Sequence, residues 1–430
     1  LRRQRQMCIR DRGNNVVDET GTLAVFAELG SSASLASGSR VVDAFALMEG
    51  HKGEQSDAPK AYTQCPMLSG LEGHVEQTTW VSLERDQWPP EWEGMYDPVC
   101  HLKRALYGHP LAGTCWENVY TDIAVNKCGC IPVLGWECLF YHVQKRVLLS
   151  IYVDDFKLAG PEKSVDLMWG ELRKSLTLDD PTPFGRYLGC NQNEIQISPE
   201  KSKEYLEHII PIAFKDRVEG GTKWSDIIKS STSIRAIEYD MREFMCACRD
   251  TYLELTGKPA SSLKQVPCFG VGDHQLKPEN YEITGELSGN ASKIIMKILY
   301  GARTCKWDLQ QSCNSLAREV SKWNNNCDIR LHKLMCWIKC SPELCLQGWI
   351  GDSVQNIRMV LYVDADVASD LRTSKSTSGA YVALVGPQTF YPIVSLCKRQ
   401  GCVSHSSTEV EIIALEHAMR NEAFPLVALW

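Results

Sequence analysis

The residues best placed to do chemistry in this 430-residue chain are two adjacent carboxylates, Asp154 and Asp155, in the run Arg146 to Lys157 (RVLLSIYVDDFK). Apolar, β-favouring stretches stand on either side of the pair, which is the pattern of a hairpin with acids at its tip. Neighbouring carboxylates repel one another unless a cation neutralises them, and a hard divalent ion with oxygen ligands does this best. An isolated Asp-Asp pair is usually a solvated acidic turn; the flanking strands and the Tyr152-Val153 prefix move the reading towards a metal site. Two close cysteine pairs, Cys128/Cys130 and Cys246/Cys248, lack the second pair at zinc-ribbon spacing that a closed tetrahedral site requires, so they read as buried small hydrophobes.

The elements that must position these acids can be read in outline. After a helix-compatible stretch at Thr22 to Leu29 and a Ser/Ala-rich loop at Ser31 to Ser39, a strand is expected at Trp80 to Leu83 and a helix at Trp116 to Val125. Ala159-Gly160-Pro161 should stop the second strand of the acidic hairpin. Periodicity then predicts helices at Lys163 to Leu176 and Ile237 to Leu255, with a short alternating strand at Glu194 to Ser198 between them. Pro259 to Glu286 is turn-rich and reads as a linker, followed by helices at Ala291 to Ala302, Leu309 to Trp323 and Ile329 to Cys340. Beyond Gly351 the character changes: strands at Met359 to Val363, Gly379 to Val385 and Phe390 to Leu396 lead into a helix at Ser407 to Glu422.

Composition narrows the classes. Hydrophobic residues make up 44% and charged residues 23%, which suits globular domains and excludes wholesale disorder. The length suggests about two to four domains. A net charge of -7 means that any nucleic-acid groove must be locally basic. No apolar run reaches the length of a membrane span, and 19 scattered cysteines without a secretory signal fit a reduced, intracellular setting. The Arg-rich start, residues 1–12, reads as a non-native leader.

Three ordered blocks carry a family resemblance. Tyr152-Val153-Asp154-Asp155 in its hairpin resembles the catalytic palm motif of reverse transcriptases, Val99 to Trp116 (VCHLKRALYGHPLAGTCW) is similar to the segment that copia-type retrotransposon enzymes place before it, and Tyr187-Leu188-Gly189 matches the motif that follows. The resemblance implies a third carboxylate upstream followed by an aromatic, a pattern that Asp57 and Tyr62 match in SDAPKAY. It implies two Mg²⁺ ions held by Asp57, Asp154 and Asp155, with Tyr62 and Tyr152 against the substrate and Tyr62 acting as a steric gate under the sugar. Without the resemblance, Ser-Asp-x-Pro is simply a good helix start. One departure stands out: the family usually carries a Gln shortly after Leu-Tyr-Gly, whereas this chain has His109-Pro110-Leu111.

A second constellation, Leu361 to Asp366 (LYVDAD) with Arg372 to Gly379 (RTSKSTSG) and His405 to Ala414 (HSSTEVEIIA), resembles a copia-type ribonuclease H domain. Asp364 and Glu411 take the positions of its first two catalytic metal ligands; the bland alternative is a strand-end Asp and an exposed helical Glu. The other two acids of such a site are expected beyond Trp430, so the domain is expected to be cut in half. Lys293 to Cys340 loosely resembles the helical linking region of the same polyproteins.

The fold class expected is α/β (α+β): a reverse transcriptase palm with partial fingers, a helical thumb and connection, then a truncated ribonuclease-H-like unit. In residues, that is partial fingers at 13–56, palm and the start of the thumb at 57–215, thumb and linker at 216–290, connection at 291–350 and half a ribonuclease H domain at 351–430. Implied partners are an RNA template, a DNA primer, the RNA/DNA hybrid and deoxynucleoside triphosphates, in a cytoplasmic virus-like particle or the nucleus. No gag, protease or integrase segment is recognisable. The rival from a different class is a catalytically inactive relic of such an element, favoured by Leu111 and opposed by the retained acids; a stand-alone nuclease is a weaker third.

Overall fold

The computed structural model describes residues 36–67, 79–198, 200–201, 204, 234–271, 275–370 and 372–430. The expected helix at Thr22 to Leu29 and most of Ser31 to Ser39 lie outside them, but 36–39 open a helix, α1 (Ala36–Ala46), where a loop was expected. The chain divides into two compact units, one of residues up to 42 and 52–183, the other of 43–51 and 184–430. Both mix helix and strand. Among the described residues no helix is long and apolar enough to cross a membrane.

The first unit is built on a six-stranded sheet. In chain order its members are β1 (His51–Asp57), β4 (Ile131–Pro132), β5 (Leu139–His142), β6 (Val147–Tyr152), β7 (Asp155–Pro161) and β8 (Thr182–Pro183), and in space they run β4-β5-β6-β7-β1-β8. A separate two-stranded ribbon pairs β2 (Trp80–Ser82) with β3 (Val99–His101). The expected hairpin is present, though β7 runs on through Ala159-Gly160-Pro161 instead of stopping there. Extended backbone suits proline at a strand's end, where its missing N–H breaks no ladder bond.

Helices α2 (Ala61–Gln64), α3 (Ala112–Asp122) and α4 (Glu162–Leu172) complete this unit. α3 begins earlier than expected and continues through a π-turn at Ile123–Lys127. Its buried Cys115, Trp116 and Tyr120 join Leu149, Ile151, Phe156 and Leu158 of the hairpin and Met168 and Leu172 of α4 in one core. On β7 the alternation is strict in chemistry: Phe156 and Leu158 enter the core, whereas Asp155 and Lys157 point to the other face.

The second unit has a seven-stranded sheet made of β9 (Arg186–Tyr187), β10 (Cys190–Ile197), β11 (Ile234–Asp240), β12 (Leu346–Ile350), β13 (Arg358–Asp366), β14 (Thr377–Gly386) and β15 (Thr389–Arg399). Their spatial order is β13-β14-β15-β12-β11-β10-β9, so β13 is an edge strand. Two strands correct the sequence reading. Ile234–Asp240 is β11, not helix, with α5 starting only at Arg242 (Arg242–Thr256), and Leu346–Ile350 forms a strand where none was expected. β11 is held by seven register pairs with β10 on one side and five with β12 on the other. At Gly348 an added Cβ would lie 2.7 Å from the Tyr391 ring, so only glycine lets β12 pass beneath it.

Helices α6 (Ala291–Thr304), α7 (Gln310–Ala317) and α8 (Asn325–Cys340) pack with α5 around Ile294, Ile298, Leu309, Leu331 and Leu334. The expected linker is turn-rich as read, and its Leu263, with Leu287 just beyond its end, is buried in this same core. Under the sheet, the fully buried Asp43 accepts hydrogen bonds from Tyr239 (2.8 Å) and Gln192 (3.2 Å). Two helices, α9 (Ser407–Ala418) and α10 (Phe424–Leu429), joined by a π-turn, close the described chain, and α9 packs against β13 and β14. Ser406 caps α9 by accepting from the Glu409 N–H.

Candidate active site

The turn between β6 and β7 contains only Val153 and Asp154, because Tyr152 pairs directly with Asp155. Val153 takes φ +57°, a left-handed conformation that a β-branched residue rarely adopts. Two hydrogen bonds hold it there. The Trp116 indole N–H donates to the Val153 carbonyl at 2.6 Å, and the Ala58 N–H donates to the Asp154 carbonyl at 2.8 Å. The second bond joins the acidic turn to the residue that follows Asp57, so chain segments almost a hundred positions apart meet at this point.

Asp57 ends β1 and is in turn fixed from the far side. Its carbonyl accepts from the Asp179 N–H at 2.9 Å, and Ser56 Oγ donates to the Asp179 carbonyl at 2.8 Å. Burial first, then the charges of Asp154 and Asp179, raise the Asp57 carboxyl above the ordinary aspartate range. Asp155 is pushed up further, to about 6, by burial and by Asp154 and Asp57, with Lys157 pulling the other way. Lys157 is fully buried and donates to Ser39 Oγ at 3.1 Å. The three aspartates expected to share a site thus feel one another's charge. They are not gathered into a coordination shell: among the described residues no group of three or more His, Cys, Asp or Glu is placed to hold a metal ion.

Tyr62 lies on α2, partly buried against the core, with its ring 4.7 Å from that of Tyr107. Tyr107 accepts a hydrogen bond from the Tyr62 backbone, and its hydroxyl is pushed above the usual tyrosine range by burial and by Asp154, Tyr62 and Asp57. Tyr107 and Asp179 are therefore neighbours of the carboxylates that the sequence reading did not single out. Tyr107 stood inside the Leu-Tyr-Gly block and could have been found there; Asp179 stands in a second adjacent pair, Asp179-Asp180, but without apolar strands on both sides to set it apart from a solvated turn. Tyr152, at the end of β6, is half-buried.

His109, where the unusual His-Pro-Leu begins, serves the fold. Its Nδ1 accepts from the Leu111 N–H at 3.2 Å, which leaves Nε2 to carry the proton and donate to Thr79 Oγ1 at 3.3 Å. Burial lowers its pKa, as the neutral ring in these bonds requires. Leu111 packs against the core ahead of α3.

In the second unit Asp364 sits on the edge strand β13 opposite Gly379, and Glu411 on α9, the helix that packs against that strand. Both side chains are exposed. Asp366, two residues on, is occupied structurally: its carboxylate accepts from the Thr377 N–H at 2.6 Å. The cysteines of the two close pairs are free; burial pushes the Cys130 thiol up to about 12 and that of Cys248 up to about 11, as for inert core thiols.

With this geometry in view, the similarity of the chain to known proteins is to retrotransposon Gag-Pol polyproteins. No established protein-family profile matches it. The relatives are Ty1 elements, copia-type retrotransposons of Saccharomyces cerevisiae. The Transposon Ty1-DR4 Gag-Pol polyprotein is 36% identical over 70 residues, covering 16% of this chain and 4% of the relative. The Transposon TyH3 Gag-Pol polyprotein matches with the same identity and coverage. The matched stretch is thus a small part of either protein, and it makes the chain a homologue of retroelement polyproteins.

Proposed function

We propose that this chain is the RNA-directed DNA polymerase segment of a copia-like retroelement polyprotein, with a palm-like first unit and a ribonuclease-H-like region at the end of the second. The observation that carries the reading is the approach of Asp57 to the Asp154-Asp155 turn, joined through the 2.8 Å Ala58 to Asp154 bond, with the Asp57 and Asp155 carboxyls raised by burial and then by neighbouring aspartate charge. Structural acids are normally paired with cations; here carboxylates from two segments are set against one another. The donor set fits a hard divalent cation, because all its side-chain donors are carboxylate oxygens and the buried Lys157 offsets only part of their repulsion.

Asp57, Asp154 and Asp155 would hold two Mg²⁺. When bound, the ions would supply Lewis-acid activation of a primer 3′-hydroxyl and charge stabilisation for departing pyrophosphate. The protein's own contribution is positional. The Val153 turn, locked by Trp116 and Ala58, presents Asp154 beside the end of β1, while Lys157 moderates the charge of Asp155. Tyr62, braced by Tyr107, would lie under the sugar of the incoming nucleotide. Asp364 and Glu411 are proposed as ligands of the ribonuclease-H-like region.

The test is Mg²⁺-dependent primer extension on an RNA template by the full chain. Asp57→Asn and Asp154→Asn should each lower extension by about a hundredfold or more while the fold, followed by circular dichroism, is kept. A folded wild-type chain that extends no primer would turn the reading to the inactive relic, and an active Asp57→Asn variant would remove Asp57 from the site.

A further inference from the structure

Within the second unit, α7, α8 and the loop between β13 and β14 surround a cavity of about 170 Å³. That is below the roughly 300 Å³ at which drug-sized ligand pockets begin. Its charges do not balance. Among the described residues Arg318, Arg330 and Arg372 line it, with Glu319 and Asp370 as the acids. Both acids are engaged. Glu319 accepts from Arg372 at 2.9 Å, and Asp370 accepts from Arg399 at 2.9 Å and from the backbone N–H groups of Arg372 and Thr373.

Two guanidinium groups have no carboxylate partner among the described residues. Arg330 donates to the hydroxyl of Ser315, and the Arg318 side chain, whose backbone N–H donates to the Asn314 carbonyl, makes no hydrogen bond or ion pair among the described residues. Arg318 is half-buried and faces the like charges of Arg399 and Arg330, with Asp370 and the Cys397 thiol on the opposing side. Its place at the end of α7 favours a cation, but the helix terminus contributes only about 0.3–1 kcal/mol at most sites. Withdrawing an unpaired charge from water costs more than that.

We infer that this cavity is a phosphate site, in which the guanidinium groups of Arg318 and Arg330 receive one phosphate group, the Ser315 hydroxyl, which donates to the Ser312 carbonyl at 2.9 Å, serving to orient Arg330. Guanidinium is the side chain whose planar fork matches tetrahedral oxyanions, and two such forks lining one cavity, whose described carboxylates are already engaged by other groups, have that ligand class as their complement. The phosphate comes either free, as inorganic phosphate or part of a nucleotide, or from the backbone of a nucleic-acid strand. The inference is independent of the polymerase reading.

Calorimetric titration of the full chain in EDTA keeps metal-dependent binding silent and uses three probes: inorganic phosphate, a nucleoside triphosphate and a short duplex. Inorganic phosphate should bind, and Arg318→Met should weaken it about tenfold or more, the scale of one charge-assisted hydrogen bond. Arg318→Lys, which keeps the charge and loses the fork, should fall between. Displacement of phosphate by the duplex assigns a strand as the source, and displacement by the triphosphate alone assigns a free ligand. Thermal melting in phosphate-free buffer separates a ligand role from a structural one: relief of repulsion should leave Arg318→Met at least as stable as wild type. Absence of binding by all three probes, binding unchanged by Arg318→Met, or a Met variant that melts earlier in phosphate-free buffer would overturn the assignment.

Discussion

Replacing Asp155 by Asn should make the metal-free protein more stable. The carboxyl is raised from 3.8 to about 6 by burial and by Asp154 and Asp57, so the folded state holds its proton more tightly than the unfolded chain does. The contribution is therefore intact below the unfolded value and is lost as pH rises through the folded one. Two units correspond to about 3 kcal/mol at most, and the partly solvated position of Asp155 reduces this to about 1 kcal/mol. Asn is isosteric and removes the charge. In urea melts with EDTA, Asp155→Asn should gain about 1 kcal/mol over wild type at pH 7.5, and the gap should close by pH 4. Adding Mg²⁺ should stabilise wild type and shrink or reverse the gap, because the ion neutralises what the substitution removes. A variant less stable than wild type at pH 7.5 in EDTA, or a gap independent of pH, would refute the argument that these carboxylates repel one another.

Val153→Asn should stabilise the hairpin by about 0.5–1 kcal/mol in the same melts, since Asn tolerates the left-handed backbone that Val153 occupies at φ +57°; a loss would mean that the valine side chain's packing outweighs the strain. Tyr62→Ala in an active enzyme should raise ribonucleotide incorporation relative to deoxyribonucleotide, whereas equal loss for both sugars would return Tyr62 to a packing role beside Tyr107. Hydrolysis of an RNA/DNA hybrid by this chain should be negligible, because Asp364 and Glu411 are both exposed and the next acid on β13, Asp366, is engaged by the Thr377 N–H; Mg²⁺-dependent cleavage lost on Asp364→Asn would contradict this.

The hairpin was legible because the mostly apolar Val147 to Ile151 and the apolar Phe156 and Leu158 bracket a polar tip. β1 is the opposite case. His51–Asp57 (HKGEQSD) has no strand-forming composition, and pairing inside the sheet makes it a strand. Asp57 was therefore found through a resemblance and not through its own surroundings. The reading of Ile237 to Leu255 as one helix failed at Met241, where strand passes into helix with no side-chain cap to mark the change. β12 escaped because five residues containing a glycine carry little periodicity; neighbouring strands define it. The opposition of Asp179 to Asp57 is a product of tertiary packing across more than a hundred residues, which no local pattern encodes.

The position of β13 bears on how the protein behaves in concentrated solution. One side of this nine-residue strand pairs with β14, and the other side presents backbone donors and acceptors that no described strand takes up. Its centre, Met359 to Val363, carries no charge, and Ile412 and Leu415 on α9 are exposed. Long uncharged edges of this kind template the addition of further strands from other chains, and the usual protections are lysine, proline or a bulge within the edge. Here charge stands only at the ends, at Arg358, Asp364 and Asp366. Strand-by-strand aggregation through Met359 to Val363 is thus a hazard built into this sheet, and a lysine at Val360 or Tyr362 would be the smallest change to suppress it.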